Sequence, residues 1–125
     1  MTKRSEACNQ ALIRAEASRK GLRLWRNNVG AVWTQDGTFL RYGLANDSKK
    51  LNSTIKSGDL IGIRPVVITQ DMVGKTVGVF TSREVKREGW VFNPNNPADI
   101  AQLAWIKLIA ALGGDACFAT GEGTL

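Results

Sequence analysis

Ser57-Gly58-Asp59-Leu60-Ile61-Gly62-Ile63 and Ser82-Arg83-Glu84-Val85-Lys86 are the two stretches whose pairing decides the fold. In the first, an acidic residue opens an apolar, β-branched run. In the second, Glu84 and Lys86 sit two apart in a segment, Val77-Gly78-Val79-Phe80 onward, that also reads as strand. Side chains alternate across a strand, so Glu84 and Lys86 are expected on one face and Val85 on the other. If the two strands pair, Asp59 joins them. Two carboxylates could then share a hard divalent cation, and the lysine could hold or deprotonate a water. Such a set of groups suits the cleavage of phosphodiesters.

Composition narrows the chemistry. A chain of 125 residues, 43% apolar and 22% charged, is long enough for a real core and is expected to fold as one domain, 1–125. Seventeen Lys and Arg against eleven Asp and Glu give a net charge of +6 and a pI near 9.8, which suits a polyanionic partner such as DNA or RNA. The absence of histidine removes histidine zinc sites, Ser-His-Asp triads and histidine general bases. Catalysis, if any, falls to carboxylates, lysine or a metal. Cys8 and Cys117 form neither a CxxC pair nor a disulfide framework and are expected to be reduced, partly buried small hydrophobes in a cytosolic protein. The chain shows no signal-peptide pattern, and no apolar run approaches the ~20 residues of a membrane span, so a soluble protein with no membrane partner is expected.

The elements follow in order. Ser5 is a plausible N-cap for a helix from Glu6 to Lys20, with Gly21 as its stop and Cys8, Ala11, Leu12 and Ala15 as a narrow apolar stripe. Leu22 to Trp25, Val29 to Trp33 and Thr38 to Tyr42 read as short strands, the last two joined at Gln35-Asp36-Gly37. Ala45 to Ser57 reads as a polar loop that contacts substrate or moves. Asp59 to Arg64 is a strand that continues past Pro65 to Thr69 as an edge, and Met72 to Lys75 turns into a long strand from Thr76 to Lys86. Asn96 as N-cap and Pro97 at the first position start a helix that runs to Leu112, and Ala116 to Thr120 returns as a final strand.

Each chemistry-bearing residue has a plainer alternative. Glu84 and Lys86 alone could be a solvated surface pair. The upstream Asp59, the lack of histidine and an inward glutamine favour metal chemistry. Gln102 shares a helix face with Trp105, Ile106 and Ile109, which makes it either a structural tie between helix and sheet or a residue that orients a bound water or phosphate beside Lys86. Glu6 is equally explained by the helix dipole and by catalysis. Arg23-Leu24-Trp25-Arg26-Asn27-Asn28 combines residue types that contact phosphates and stack on bases, with Arg26 and Asn27 as the phosphate candidates, against the reading of an ordinary strand. Arg41, Lys49, Lys50, Lys56, Arg83 and Arg87 belong to a diffuse basic footprint in which no single residue stands out.

Ser5-Glu6 opening a helix that contains Gln10, then Lys20-Gly21, Arg26-Asn27-Asn28-Val29-Gly30, Gly58-Asp59-Leu60-Ile61, Glu84-Val85-Lys86 and Gln102 together resemble, over nearly the whole chain, the virus-type replication-repair nuclease domain. The resemblance implies membership of the PD-(D/E)xK superfamily and an α/β, restriction-endonuclease-like mixed β-sheet flanked by helices. It implies that Asp59, Glu84 and the backbone carbonyl of Val85 ligate Mg2+ or Mn2+. It further implies that Glu6 contacts the metal directly or through water, that Lys86 positions the attacking water and that Gln102 supports the site. Gly58 stands where the superfamily's name has Pro, and Arg64 to Gly74 is an insertion without an assigned role. Small standalone members resemble homodimeric Holliday junction resolvases of phage. That implies a structure-selective endonuclease on branched DNA, a homodimer, and a cytoplasmic setting in a bacterial or phage-infected cell. The alternatives are the same chemistry on flaps, nicks or duplex DNA, and a non-catalytic DNA-binding module.

Overall fold

A computed structural model describes residues 3–125. The fold is α/β. The chain divides into two compact units, 1–62 and 63–125. Their charges differ sharply: the first holds 11 Lys and Arg against 5 Asp and Glu, a net +6, and the second holds 6 against 6, a net of zero. The positive charge that suits a polyanion therefore belongs to the first unit.

In the first unit, helix α1 spans Glu6–Arg19, opened by the Ser5 hydroxyl, which accepts from the Cys8 amide at 3.2 Å. It ends where Gly21 takes a φ of +81°, a conformation that only glycine adopts at little cost. The helix packs on β1 (Arg23–Arg26). Only Ala17 is buried, and the expected stripe at Cys8, Ala11, Leu12 and Ala15 is exposed. The helix is tied to β1 by Arg14, whose Nε donates to the Leu24 carbonyl at 3.4 Å, and its end is closed by the Leu22 amide on the Ala17 carbonyl at 2.8 Å. Cys8 is accordingly exposed rather than partly buried, whereas Cys117 of the second unit is half-buried.

Strands β2 (Gly30–Trp33) and β3 (Phe39–Tyr42) form the expected antiparallel hairpin, Trp33 opposite Phe39 and Gly30 opposite Tyr42. Its turn is held by the Asp36 carboxylate, which accepts from the Thr34 hydroxyl and from the Thr38 amide; these bonds, the Thr34 one foremost, hold the Asp36 carboxyl below its ordinary range. The polar loop expected from Ala45 to Ser57 contains a short helix, α2 (Lys49–Thr54), capped by the Ser48 hydroxyl on the Leu51 amide at 3.1 Å. Its start signal lies in a Ser among loop-like residues. Strand β4 (Leu60–Ile63) pairs with β1. Gly62 lies so close to the Arg23 carbonyl that a Cβ would overlap it, and the Asn27 amide bonds the Asp59 carbonyl at 2.9 Å, an order of contacts that makes the pair antiparallel.

In the second unit, β5 (Thr81–Val85) and β6 (Asp115–Ala119) run parallel, with Thr81 opposite Asp115 and Glu84 opposite Phe118. The long strand expected from Thr76 begins only at Thr81. Its partner starts at Asp115, and upstream of that first pair Val77 and Val79 are more than half exposed. Nor does an edge strand follow Pro65, which has no N–H to give to a ladder. A single 3-10 turn, Gln70–Met72, stands in that segment. Helix α3 (Pro97–Ala111) starts as the sequence indicates, the Asn96 side chain accepting from the amides of Ala98 and Asp99. It packs on β6 and buries Ile109 completely. The strands thus pair two by two, where a single mixed sheet was expected.

Candidate active site

The alternation of β5 turns Ser82, Glu84 and, one residue beyond the strand, Lys86 toward α3. Three contacts follow along the two elements. The Trp105 indole donates to the Ser82 hydroxyl at 3.0 Å, the Gln102 amide donates to a Glu84 carboxylate oxygen at 2.9 Å, and the Lys86 ammonium lies 3.6 Å from the Asp99 carboxylate. Strand numbers rise as helix numbers fall, so α3 runs antiparallel to β5. Two strand residues advance about 6.6 Å and three helical residues about 4.5 Å, and the long Lys86 and Trp105 side chains absorb the difference. The order of the strand continues to Lys86, whose amide bonds the Ala119 carbonyl at 2.8 Å.

Lys86 is held on several sides. Its ammonium lies 5.3 Å from the centre of the Trp90 ring and 5.9 Å from that of Phe118, over a cluster in which the tilted Trp90 and Phe118 rings lie 4.6 Å apart and Phe92 closes the edge. Asp99, only 4% exposed, also accepts from the Asn93 amide at 3.0 Å, which ties the chain entering α3 to the same carboxylate. Asp99 lies three residues before Gln102 on the same helix face, a spacing that marks it as a companion of that glutamine. Trp90 and Phe118 stand in a loop and a strand, where no periodic signal marks them.

Gln102 faces inward as its spacing indicates. Its amide nitrogen is engaged by Glu84, and its oxygen, Oε1, is buried without a hydrogen-bond partner among the described residues. A buried acceptor left unbonded is costly, and a water is the natural donor for it. The side-chain donors on this face suit a hard cation: the Glu84 carboxylate and the Gln102 oxygen are both of the type that magnesium and manganese prefer. Among the described residues, no three His, Cys, Asp or Glu side chains cluster.

On the opposite side of β5, Val85 is exposed and Arg83 grips Asp115 on the neighbouring strand, NH2 to Oδ2 at 2.9 Å and NH1 to Oδ1 at 3.2 Å. This fork raises the Arg83 pKa and holds the Asp115 carboxyl below its ordinary value.

The remaining candidates lie in the first unit. Asp59 is exposed just before β4, and the loop that carries it is bound by Asn27, whose side-chain amide donates to the Ser57 hydroxyl at 2.8 Å and to the Gly58 carbonyl at 2.9 Å. Ser57 in turn donates to the Leu44 carbonyl at 2.8 Å. Both amide hydrogens of Asn27 are thus used in positioning the Asp59 loop. Arg26 closes β1 with its side chain exposed, and Glu6 is exposed in the first turn of α1. Asn46, unmarked by any sequence motif, is 3% exposed and makes three side-chain hydrogen bonds.

Among the described residues, no helix is long and apolar enough to cross a membrane. Set beside known proteins, the chain matches no family model, no curated protein and no solved structure.

Proposed function

We propose that this chain is a metal-dependent endonuclease that hydrolyses phosphodiester bonds in DNA, with Glu84, Lys86 and Gln102 at its chemical centre. One observation carries the proposal: Glu84 and Lys86 face helix α3, whose Gln102 bonds the carboxylate while its own buried oxygen lacks a donor among the described residues. A water bonded to Gln102 Oε1 beside the Lys86 ammonium would be a positioned nucleophile, which is the arrangement hydrolysis requires. Glu84 and the Val85 carbonyl would hold Mg2+ or Mn2+. When bound, the cation supplies polarisation of the phosphate and a lower pKa for its water. Gln102 fixes the Glu84 carboxylate, and Asp99 and the two rings keep the Lys86 side chain in place. The basic first unit supplies attraction to a polyanion. Within this reading branched DNA as substrate and action as a homodimeric junction resolvase are parts of the same proposal, motivated by the ordered motifs of the sequence.

A second reading rests on the Lys86 to Asp99 contact. A lysine already paired at 3.6 Å and resting on two rings can be a strut between helix and strand, which describes a non-catalytic DNA-binding module. The test is a cleavage assay on end-labelled four-way junctions, flaps and plain duplexes, each with Mg2+, Mn2+ or EDTA. Cutting that needs the metal and favours the junction is the expected result. Binding without cutting under every metal condition selects the non-catalytic module, and preference for plain duplex removes the resolvase.

A further inference from the structure

In the first unit, the β2–β3 hairpin and α2 enclose a cleft of about 360 Å3 lined by Gly30, Arg41, Asn46, Asn52, Lys56 and Ser57, with Val29 and Ala31 at its side. It contains two cations and no carboxylate. We propose that this cleft is a binding site for a backbone phosphate of nucleic acid.

Both cations are steadied by neutral groups, which leaves their charge uncompensated. The Arg41 guanidinium donates from NH1 to the Asn46 side-chain oxygen at 3.1 Å and lies 5.4 Å from the centre of the Phe39 ring. Lys56 donates to the Asn52 side-chain oxygen at 2.7 Å. Among the described residues neither has a carboxylate within ion-pair distance. Asn46 is the positioning residue: buried, it donates to the Gly30 carbonyl at 2.7 Å and to the Tyr42 carbonyl at 2.9 Å, spanning the hairpin at its last pair. With its amide hydrogens so used, its oxygen must face a donor, and that donor is Arg41. The guanidinium is therefore held before a ligand arrives, and less of its rotamer freedom is lost on binding. Further N–H donors of Arg41, the ammonium of Lys56 and the Ser57 hydroxyl at the rim are the groups that recognise phosphate oxygens.

Size and charge favour a chain over a free ion. The cleft holds the volume of roughly a dozen waters at about 30 Å3 each, more than one ion fills. The unit around it carries the whole net charge of +6. The choice of a backbone phosphate over a free one rests on the nucleic-acid reading above. The anion site itself rests on the cleft alone.

The experiment has two arms on the full chain. In the first, 15N-labelled protein is titrated with sodium phosphate against sodium chloride at matched ionic strength. The side-chain amides of Asn46 and Asn52 and the Arg41 Nε–H signal should shift with phosphate and not with chloride. In the second, a fluorescein-labelled 20-mer duplex is bound in EDTA, where nothing is cut. Lys56→Ala and Arg41→Gln should each weaken binding about tenfold near 0.1 M salt and lower the slope of log K against log salt by about one, while Lys107→Ala in the second unit changes neither. Cleft signals that move no more with phosphate than with chloride overturn the site. Phosphate shifts with duplex binding unaltered by Lys56→Ala, an exposed residue whose loss leaves the fold intact, overturn the assignment to a backbone. A chain that takes phosphate in the cleft yet never cuts DNA leaves the site standing and removes the nuclease reading.

Discussion

Removing the Asp99 carboxylate should expose how strongly the second unit depends on the pair it makes with Lys86. The two side chains are 6% and 17% exposed, and the ammonium lies 3.6 Å from the carboxylate. At that distance and an effective dielectric near 20, the gross attraction is about 5 kcal/mol, from which desolvation of both ions subtracts most. In Asp99→Ala, Lys86 keeps only the faces of Trp90 and Phe118, which contribute about 1 kcal/mol, and the Asn93 amide loses its acceptor. A charge left buried without its partner costs about 3 kcal/mol here. Lys86→Met keeps the length of the side chain and removes the charge, leaving Asp99 with the Asn93 amide, so it should cost about 2 kcal/mol. The double variant has neither charge and should be more stable than the sum by about 2 kcal/mol. Urea unfolding followed by circular dichroism gives all three values. A cost below about 0.5 kcal/mol for Asp99→Ala, or strict additivity in the double variant, refutes the claim that this pair is a working contact.

Other outcomes follow from the same contacts. Gln102→Leu keeps the volume but removes the donor to Glu84, and should slow metal-dependent cleavage about 10- to 100-fold in a single-turnover assay while leaving duplex affinity in EDTA unchanged. Gly62→Ala places a methyl group on the Arg23 carbonyl and should destabilise the β1–β4 pair by about 2 kcal/mol, read as a lower urea midpoint; an unchanged midpoint would mean that the strands are not so closely apposed. The Asp115 carboxyl is depressed chiefly by its hydrogen bonds to Arg83, so the stability it adds is complete above the ordinary carboxylate range, near pH 4, and is lost as pH falls through its lower folded value. Asp115→Asn should therefore melt below the parent at pH 7 and approach it at pH 2, and an equal deficit at both values would deny the linkage.

Much of the local structure was legible because it rests on signals carried by neighbouring residues. Ser5 and Asn96 cap helices at the expected positions, Gly21 ends α1, and Asp36-Gly37 turns the hairpin. Gln102 was placed inward from the spacing of Trp105, Ile106 and Ile109, and its contact with Glu84 follows from that face. What was not legible depends on partners distant in sequence. The length of β5 is set by where β6 begins, which no pattern within Thr76 to Val85 encodes. α2 was hidden because its six residues, Lys49–Thr54, are of loop-like composition. Asp99 carries three tasks at once, as a residue of the first helical turn, a partner of Lys86 and an acceptor for Asn93, and only the first of them shows in the sequence.

The central claim is that the face shared by Glu84, Lys86 and Gln102 hydrolyses phosphodiesters. Its most direct test is the single-turnover rate at which the protein cuts a labelled four-way junction with Mn2+, compared between the parent chain and Glu84→Ala, both first verified as folded by circular dichroism. A rate that falls a thousandfold or more in the variant is the predicted result. A variant that cuts as fast as the parent, or a parent that does not cut at all, contradicts the account.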